Sequence, residues 1–204
     1  MKAAISCLLL ATTLLLIPLA AEPAEIEGRY KVIGKVPKKQ SLDVVQFDEY
    51  LNFTCPHCNN FRKAALPIKK KYGKRIKVNY IPILFRNQSD APLRLFFIGQ
   101  SMGRTEEIKN LIFDAAFQAG VNIYDPAVVN YLARSSGLGD KYAKEVNAAW
   151  VTRKVAEAQQ RAAEDGVRVT PSVVLQRALL TAPGTGMQAY VGNLDHLIGQ
   201  LLRK

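Results

Sequence analysis

The sequence is poor in the side chains that bind soft metals and that staple small exported domains. Its 204 residues hold three cysteines, two histidines, three methionines and one tryptophan. A domain that depends on structural disulfides normally shows more cysteines, set further apart. Acids are also scarce, at 17 Asp and Glu against 28 Lys and Arg, for a formal net charge of +11. No repeat or low-complexity segment is visible, and the longest uncharged run is Ala3 to Ala21. Beyond that run no stretch is long and apolar enough to span a bilayer.

The uncharged run sits where a leader would. Lys2 precedes it, Pro18 and Ala20-Ala21 end it, and charge returns at Glu22. That order reads as a secretory signal peptide over residues 1–21. The competing reading is an uncleaved membrane anchor, since the run approaches the roughly 20 residues that cross a membrane. Either way the body is expected in the periplasm or another extracytoplasmic space. The remaining roughly 180 residues suffice for one domain with a proper core, or one domain carrying an insertion. Cys7 belongs to the leader, so Cys55 and Cys58 are the only thiols of the body.

The positive charge is concentrated. Arg62, Lys63, Lys69, Lys70, Lys71, Lys74, Arg75 and Lys77 occur with no acid between them. In a cytosolic protein this would suggest nucleic acid, but an exported chain has little access to it, and no nucleic-acid partner is expected. A solvated basic face is the plainest reading, with anionic lipid headgroups or acidic unfolded chains as the alternatives.

Asp43 to Phe53 alternates as a strand, with Val45, Phe47, Leu51 and Phe53 on one face. Glu49 breaks the rule by falling on that apolar face. Pro56 opens a helix where its missing N–H costs nothing. Cys58, Phe61, Ala65, Ile68 and Tyr72 form its inner face, Pro67 bends it, and Gly73 ends it. Arg75 to Phe85 reads as a second buried strand. From Asp90 to Gly166 the pattern is helical, with starts at Thr105, Asp125-Pro126 and Asp140. Strand character returns at Val169 to Gln176 and Leu179 to Thr181. Asn193 is expected to cap a closing helix with Leu194, Leu197, Ile198, Leu201 and Leu202 inside. The outcome is an α/β domain interrupted by helices.

Cysteines at i and i+3 on a helix's first turn lie on one side, close enough to bridge. Cys55 stands at the helix mouth, where unpaired N–H groups and the positive dipole end favour a thiolate. Cys58 lies one turn inward and is expected to stay protonated. Cys55 is then the attacking and leaving sulfur, and Cys58 the resolving one. His57 between them can help hold negative charge on Cys55, or is an idle exposed side chain. A zinc or copper site would need further soft ligands. Outside the motif there is only His196, which reads as a core-edge residue, so no metal is expected. A plain structural disulfide over so short a loop restrains the unfolded chain only modestly.

Glu49, six residues before Cys55, is expected beneath the pair at the strand's end. There it would accept the proton of Cys58 when that thiol attacks a mixed disulfide. The alternative is an acid exposed on an edge strand by a local bulge.

Phe53-Thr54-Cys55-Pro56-His57-Cys58 after a strand, with the acid six residues ahead, resembles the DsbA family of thioredoxin-fold oxidases. The resemblance implies a thioredoxin fold with an inserted helical domain: residues 22–86 and 151–204 form the thioredoxin-like parts and 87–150 the insertion. It also implies a cis-proline opposite the cysteines. Pro171 in Thr170-Pro171-Ser172-Val173-Val174 is the proline that fits, 113 positions after Cys58. Thr170 and Pro171 would then receive an extended substrate segment. The implied activity is oxidation of reduced, newly exported proteins by the Cys55–Cys58 disulfide, with no other cofactor. A membrane quinone-linked thiol oxidase would restore the disulfide. Thr170 resembles the isomerase and reductase branches, which makes that activity the runner-up and suggests a weaker oxidant. The short segment before Cys55 leaves no room for a dimerisation unit, so a monomer is expected. A metal-binding or chaperone-like module is the reading from another class.

Overall fold

The computed structural model describes residues 25–85, 87–184 and 186–204. The leader expected over residues 1–21, Cys7 included, lies outside them. Strands β1 (Lys31–Val32), β2 (Val45–Leu51), β3 (Ile76–Pro82), β4 (Ser172–Leu175) and β5 (Leu179–Thr181) form one sheet in the order β1-β5-β4-β2-β3. β2 runs parallel to β3 and antiparallel to β4, so β2 and β4 are central.

Helix α1 (Pro56–Ala64) gives way at Ala65 to α2 (Leu66–Tyr72), with Pro67 in the first turn of α2. A proline cannot donate to the turn before it, and the bend follows. Gly73 closes α2 at φ +49° with open space around it, a conformation that costs glycine little. Helices α3 (Ala91–Ser101), α4 (Thr105–Phe117), α5 (Pro126–Ser135), α6 (Gly139–Glu145) and α7 (Ala149–Glu164) lie between β3 and β4, and α8 (Met187–Leu201) closes the chain. The Asp125 carboxylate accepts the Ala127 N–H at 2.8 Å and caps α5, with Pro126 at its first position. The boundary expected at residue 150 falls in the first turn of α7, a single helix that packs on α3.

Two cores flank the sheet. Val45, Phe47, Val173, Leu175 and Leu179 pack with Phe61 and Ile68 of the redox helices and with Leu194, Leu197 and Ile198 of α8. Tyr50, Leu51, Phe53 and Tyr80 pack with Phe96, Ile108, Ile112 and Phe113 of the inter-strand helices.

Several expectations need correction. Leu51 and Phe53 leave the core that holds Val45 and Phe47 and enter the other one. The helices between β3 and β4 wrap the end of β2 and gather side chains from both its faces. The polar face of β2 is therefore buried too: Asp48, Tyr50 and Asn52 are each at most 2 % exposed. β4 begins at Ser172 instead of Val169, since Pro171 has no N–H for the ladder and Val169 is exposed. β3 ends at Pro82, short of Phe85. Asn193 does not cap α8, which starts two turns earlier after Gly186. Its side chain instead ties the N-terminal segment to the helix, accepting from Arg29 N–H at 2.8 Å and donating to Arg29 C=O at 2.9 Å. His196 is exposed, away from the apolar stripe.

Candidate active site

Cys55 is the N-cap of α1, in extended conformation at φ −80° and ψ 117°. Its carbonyl accepts the N–H groups of Cys58 at 3.0 Å and Asn59 at 3.1 Å. Pro56 holds the first helical position and is exposed, as is His57. Cys58, one turn in, is 1 % exposed and receives the Asn52 N–H at 3.5 Å on its sulfur. Both cysteines are free thiols, and Cys55 is only partly covered. Across the gap, the Thr170–Pro171 bond is cis, and Cys55 Sγ donates to the Thr170 carbonyl at 3.2 Å.

The two sulfurs are chemically unlike. Cys55 is lowered to about 5, first by the hydrogen bond from the Cys58 thiol. The Thr170 side chain and the backbone N–H groups of Cys58 and His57 add to this, against partial desolvation. Burial pushes Cys58 far above an ordinary thiol, and its hydrogen bond to Cys55 pushes it further. The helix mouth and the inner turn thus separate an acidic thiol from a shielded one. His57 contributes through its backbone N–H to Cys55.

The Thr170 hydroxyl is buried and makes no hydrogen bond to the neutral thiols. It acts on the ionised sulfurs, lowering both. This direction is opposite to the one expected from Thr170, because a better-held thiolate strengthens the oxidised pair as an oxidant.

Glu49 is 1 % exposed on β2, with no bulge to release it. The Lys69 ammonium of α2 stands 3.6 Å from Glu49 Oε2, and that oxygen has no hydrogen-bond partner among the described residues. Lys69 also donates to the Tyr80 hydroxyl at 2.6 Å, opposite Glu49 in the sheet. Tyr80 donates to Glu106, whose other oxygen accepts from Lys109 at 2.6 Å. Lys109, itself 1 % exposed, lies 3.8 Å from the centre of the Tyr80 ring. Burial and then the neighbouring Lys69 charge lower the Lys109 ammonium. Glu49 makes no direct hydrogen bond to either cysteine among the described residues. Burial holds the nearby Tyr190 phenol above its usual range, and Glu49 adds to the rise.

Asn52 is a structural part of the site that sequence reasoning missed. Its amide donates to Ile83 C=O and Gln88 Oε1, both at 2.8 Å, while Oδ1 accepts from the Thr54 N–H at 3.0 Å and hydroxyl at 2.9 Å. Thr54 Oγ1 lies 2.8 Å from Tyr124 OH. The Asn-x-Thr spacing is an Asx-turn signal that was available in the sequence. Gln88 and Tyr124 arrive from distant chain and carried no signal. Beside the redox helix, His57, Val169, Thr170, Pro183 and Met187 line a cavity of about 280 Å³.

A thioredoxin family model matches residues 43–187 of the chain. The thiol:disulfide interchange protein DsbA of Burkholderia cepacia is 26% identical over 207 residues, spanning 96% of this chain and 98% of that protein. The protein of the same name from Pseudomonas syringae is 24% identical over 157 residues, 76% of this chain and 73% of its own. The crystal structure of Pseudomonas aeruginosa DsbA superposes with a TM-score of 0.69 at 20% identity, covering 84% of this chain and 91% of that one. The fold is therefore the α/β thioredoxin fold of the DsbA structures.

Proposed function

The chain belongs to the thioredoxin family whose model spans residues 43–187, and from that membership we propose that it is an exported protein thiol–disulfide oxidoreductase acting as an oxidase. The observation that carries this reading is the unequal pair, Cys55 lowered to about 5 and Cys58 raised by burial, on one helix turn facing Thr170-Pro171. The names of the DsbA relatives support thiol:disulfide interchange.

In the oxidised enzyme a client thiolate attacks Cys55 Sγ, the S–S bond breaks, and the electron pair leaves on Cys58, which takes up a proton. A mixed disulfide joins the client to Cys55. A second client thiolate attacks the client sulfur and Cys55 departs as a stable thiolate. The client gains a disulfide and the enzyme is left as a dithiol. Glu49 supplies the proton to Cys58 and takes it back when Cys58 attacks a mixed disulfide in reverse. The backbone at Thr170 pairs with the extended client segment. Reduced exported proteins are the clients, a membrane quinone-linked thiol oxidase takes the electrons, and the enzyme works as a monomer. Export rests on the leader-like residues 1–21.

Isomerase or reductase activity is the second reading, carried only by the resemblance of a threonine before the cis-proline to those branches, since the Thr170 hydroxyl itself lowers Cys55. Oxidative refolding of a reduced client, with and without Cys55→Ser, tests the enzyme reading; survival of activity in the variant would end it. The equilibrium potential against glutathione separates the directions, and a value below that of glutathione overturns the oxidase.

A further inference from the structure

The pole of the molecule opposite the cysteines is strongly basic. β2 leads into the redox motif at its C-terminal end, and its seven residues span roughly 20 Å. At the other end of the sheet three chain segments meet. The 3-10 turn Gly73–Arg75 follows α2 and leads into β3. Leu42, just ahead of β2, pairs with Leu202, and its carbonyl accepts the Arg203 N–H at 2.7 Å. Gln40 N–H reaches the Gln200 carbonyl at 2.7 Å. These contacts gather the exposed side chains of Lys38, Lys74, Arg75, Lys77, Arg203 and Lys204. Among the cations of residues 38–44, 70–77 and 203–204, Arg203 pairs with Asp43 at 3.1 Å, Lys71 with Asp195 at 2.8 Å and Lys39 with Glu27 at 4.0 Å, and the rest have no acid partner among the described residues. Val44 is 46% exposed beside them.

Two structural uses of these charges fall short of explaining them. Cations near helix C-termini answer the dipole, and the Arg75 guanidinium does reach the Arg203 carbonyl. Lys38 and Lys77 lie on no helix, however, and Lys74 and Lys77 carry no ion-pair partner among the described residues.

The chain also enters the fold at this pole. Glu27 N–H and C=O are both held by the Gln200 side chain, at 2.9 Å and 2.6 Å, at the end of α8. Ile26 is buried against the same core, and the uncharged run Ala3–Ala21 ends five residues before it. A chain whose apolar run lies in a bilayer would therefore present this pole, and not the redox pole, to the headgroups.

We propose that the basic pole built by Lys38, Lys74, Arg75, Lys77 and Arg203 is a docking face for an anionic lipid surface, which turns Cys55 outward from the membrane. Cations spread over separate segments suit a diffuse surface potential, which sums over charges and needs no shaped cleft. The attraction is screened within about a Debye length, so it weakens with salt.

Vesicle flotation of the full chain tests this, comparing vesicles of neutral phosphatidylcholine with vesicles about one-third phosphatidylglycerol. The apolar run contributes to both, so the difference between them reads the pole. The expected result is a preference for anionic vesicles that falls on the order of 20-fold in Lys74→Glu/Lys77→Glu. The same charge change placed on the helical block, Lys144→Glu/Arg153→Glu, should leave most of the preference. Equal binding to both vesicles, or equal loss in both variants, overturns the proposal. Retention on soluble polyglutamate without anionic-vesicle preference overturns it too, and assigns the face to acidic polypeptides. Insulin reduction should be unchanged in the pole variant; since that assay reads only the thiols, failure of the redox reading and failure of the docking face are separable.

Discussion

The Lys69 ammonium lies 3.6 Å from the buried Glu49 carboxylate, close enough to balance its charge and too far to hydrogen bond. That carboxylate oxygen is left without a hydrogen bond among the described residues. Glu49→Gln keeps the shape and removes the proton site. Resolution of a Cys55-linked mixed disulfide should slow on the order of 10²-fold, a usual loss for a general acid–base group. Rapid-quench kinetics measure this, and an unchanged rate would remove Glu49 from the mechanism. Lys69→Met leaves the carboxylate without its cation and should cost roughly 3 kcal/mol of stability, read from urea melts.

The thiols should titrate far apart. Iodoacetamide should modify one sulfur of the reduced protein with a midpoint near pH 5, and peptide mapping should place the label on Cys55. A thiol whose pKa is depressed by folding adds stability above its unfolded pKa and loses it as pH falls through its folded one. The stability of the reduced form relative to the oxidised form should therefore grow from about pH 5 toward 9 and vanish below 5. Denaturant melts of both forms across that range decide the point. Midpoints that coincide for the two sulfurs would contradict the catalytic account.

Thr170→Val exchanges the buried hydroxyl for a methyl group of similar volume. Cys55 should become less acidic, since a donor to its thiolate is gone. The alkylation midpoint should move up and the pair should become a weaker oxidant. A midpoint that stays in place would show that the hydroxyl does not act on the sulfur.

Tyr50 OH lies 2.5 Å from Asp165 Oδ2 in the buried layer beneath α7. Tyr50→Phe strands that carboxylate oxygen and should destabilise the protein by about 1–3 kcal/mol, with little effect on the alkylation of Cys55. Chemical denaturation and thiol kinetics on the same sample separate the two effects.

Much of the site was legible before any coordinates. The CPHC pair, the misplaced acid at Glu49 and the proline entering Val173-Val174 are all local or periodic signals. They followed from helix-terminus chemistry, strand alternation and the resemblance to the DsbA family. The burial of Asp48, Tyr50 and Asn52 was not legible, because alternation reports that two faces differ without saying that a second layer covers the polar one. Asn193 was misread because a good capping residue in mid-helix looks the same in sequence as one at a start. Its partner, the backbone of Arg29, lies more than 160 positions away.

Local chain chemistry by itself determined the redox turn: which sulfur stands at the helix mouth, and that a carboxylate shares the apolar face of the strand before it. Tertiary structure alone decided what surrounds them. It set the Thr170 carbonyl against Cys55, brought Lys69, Tyr80 and Lys109 around Glu49, and collected scattered lysines at one pole. The reason is range. Dipole ends and periodicity act within a few residues, whereas charges and hydrogen bonds between distant segments exist only after the sheet order and helix packing have brought them together.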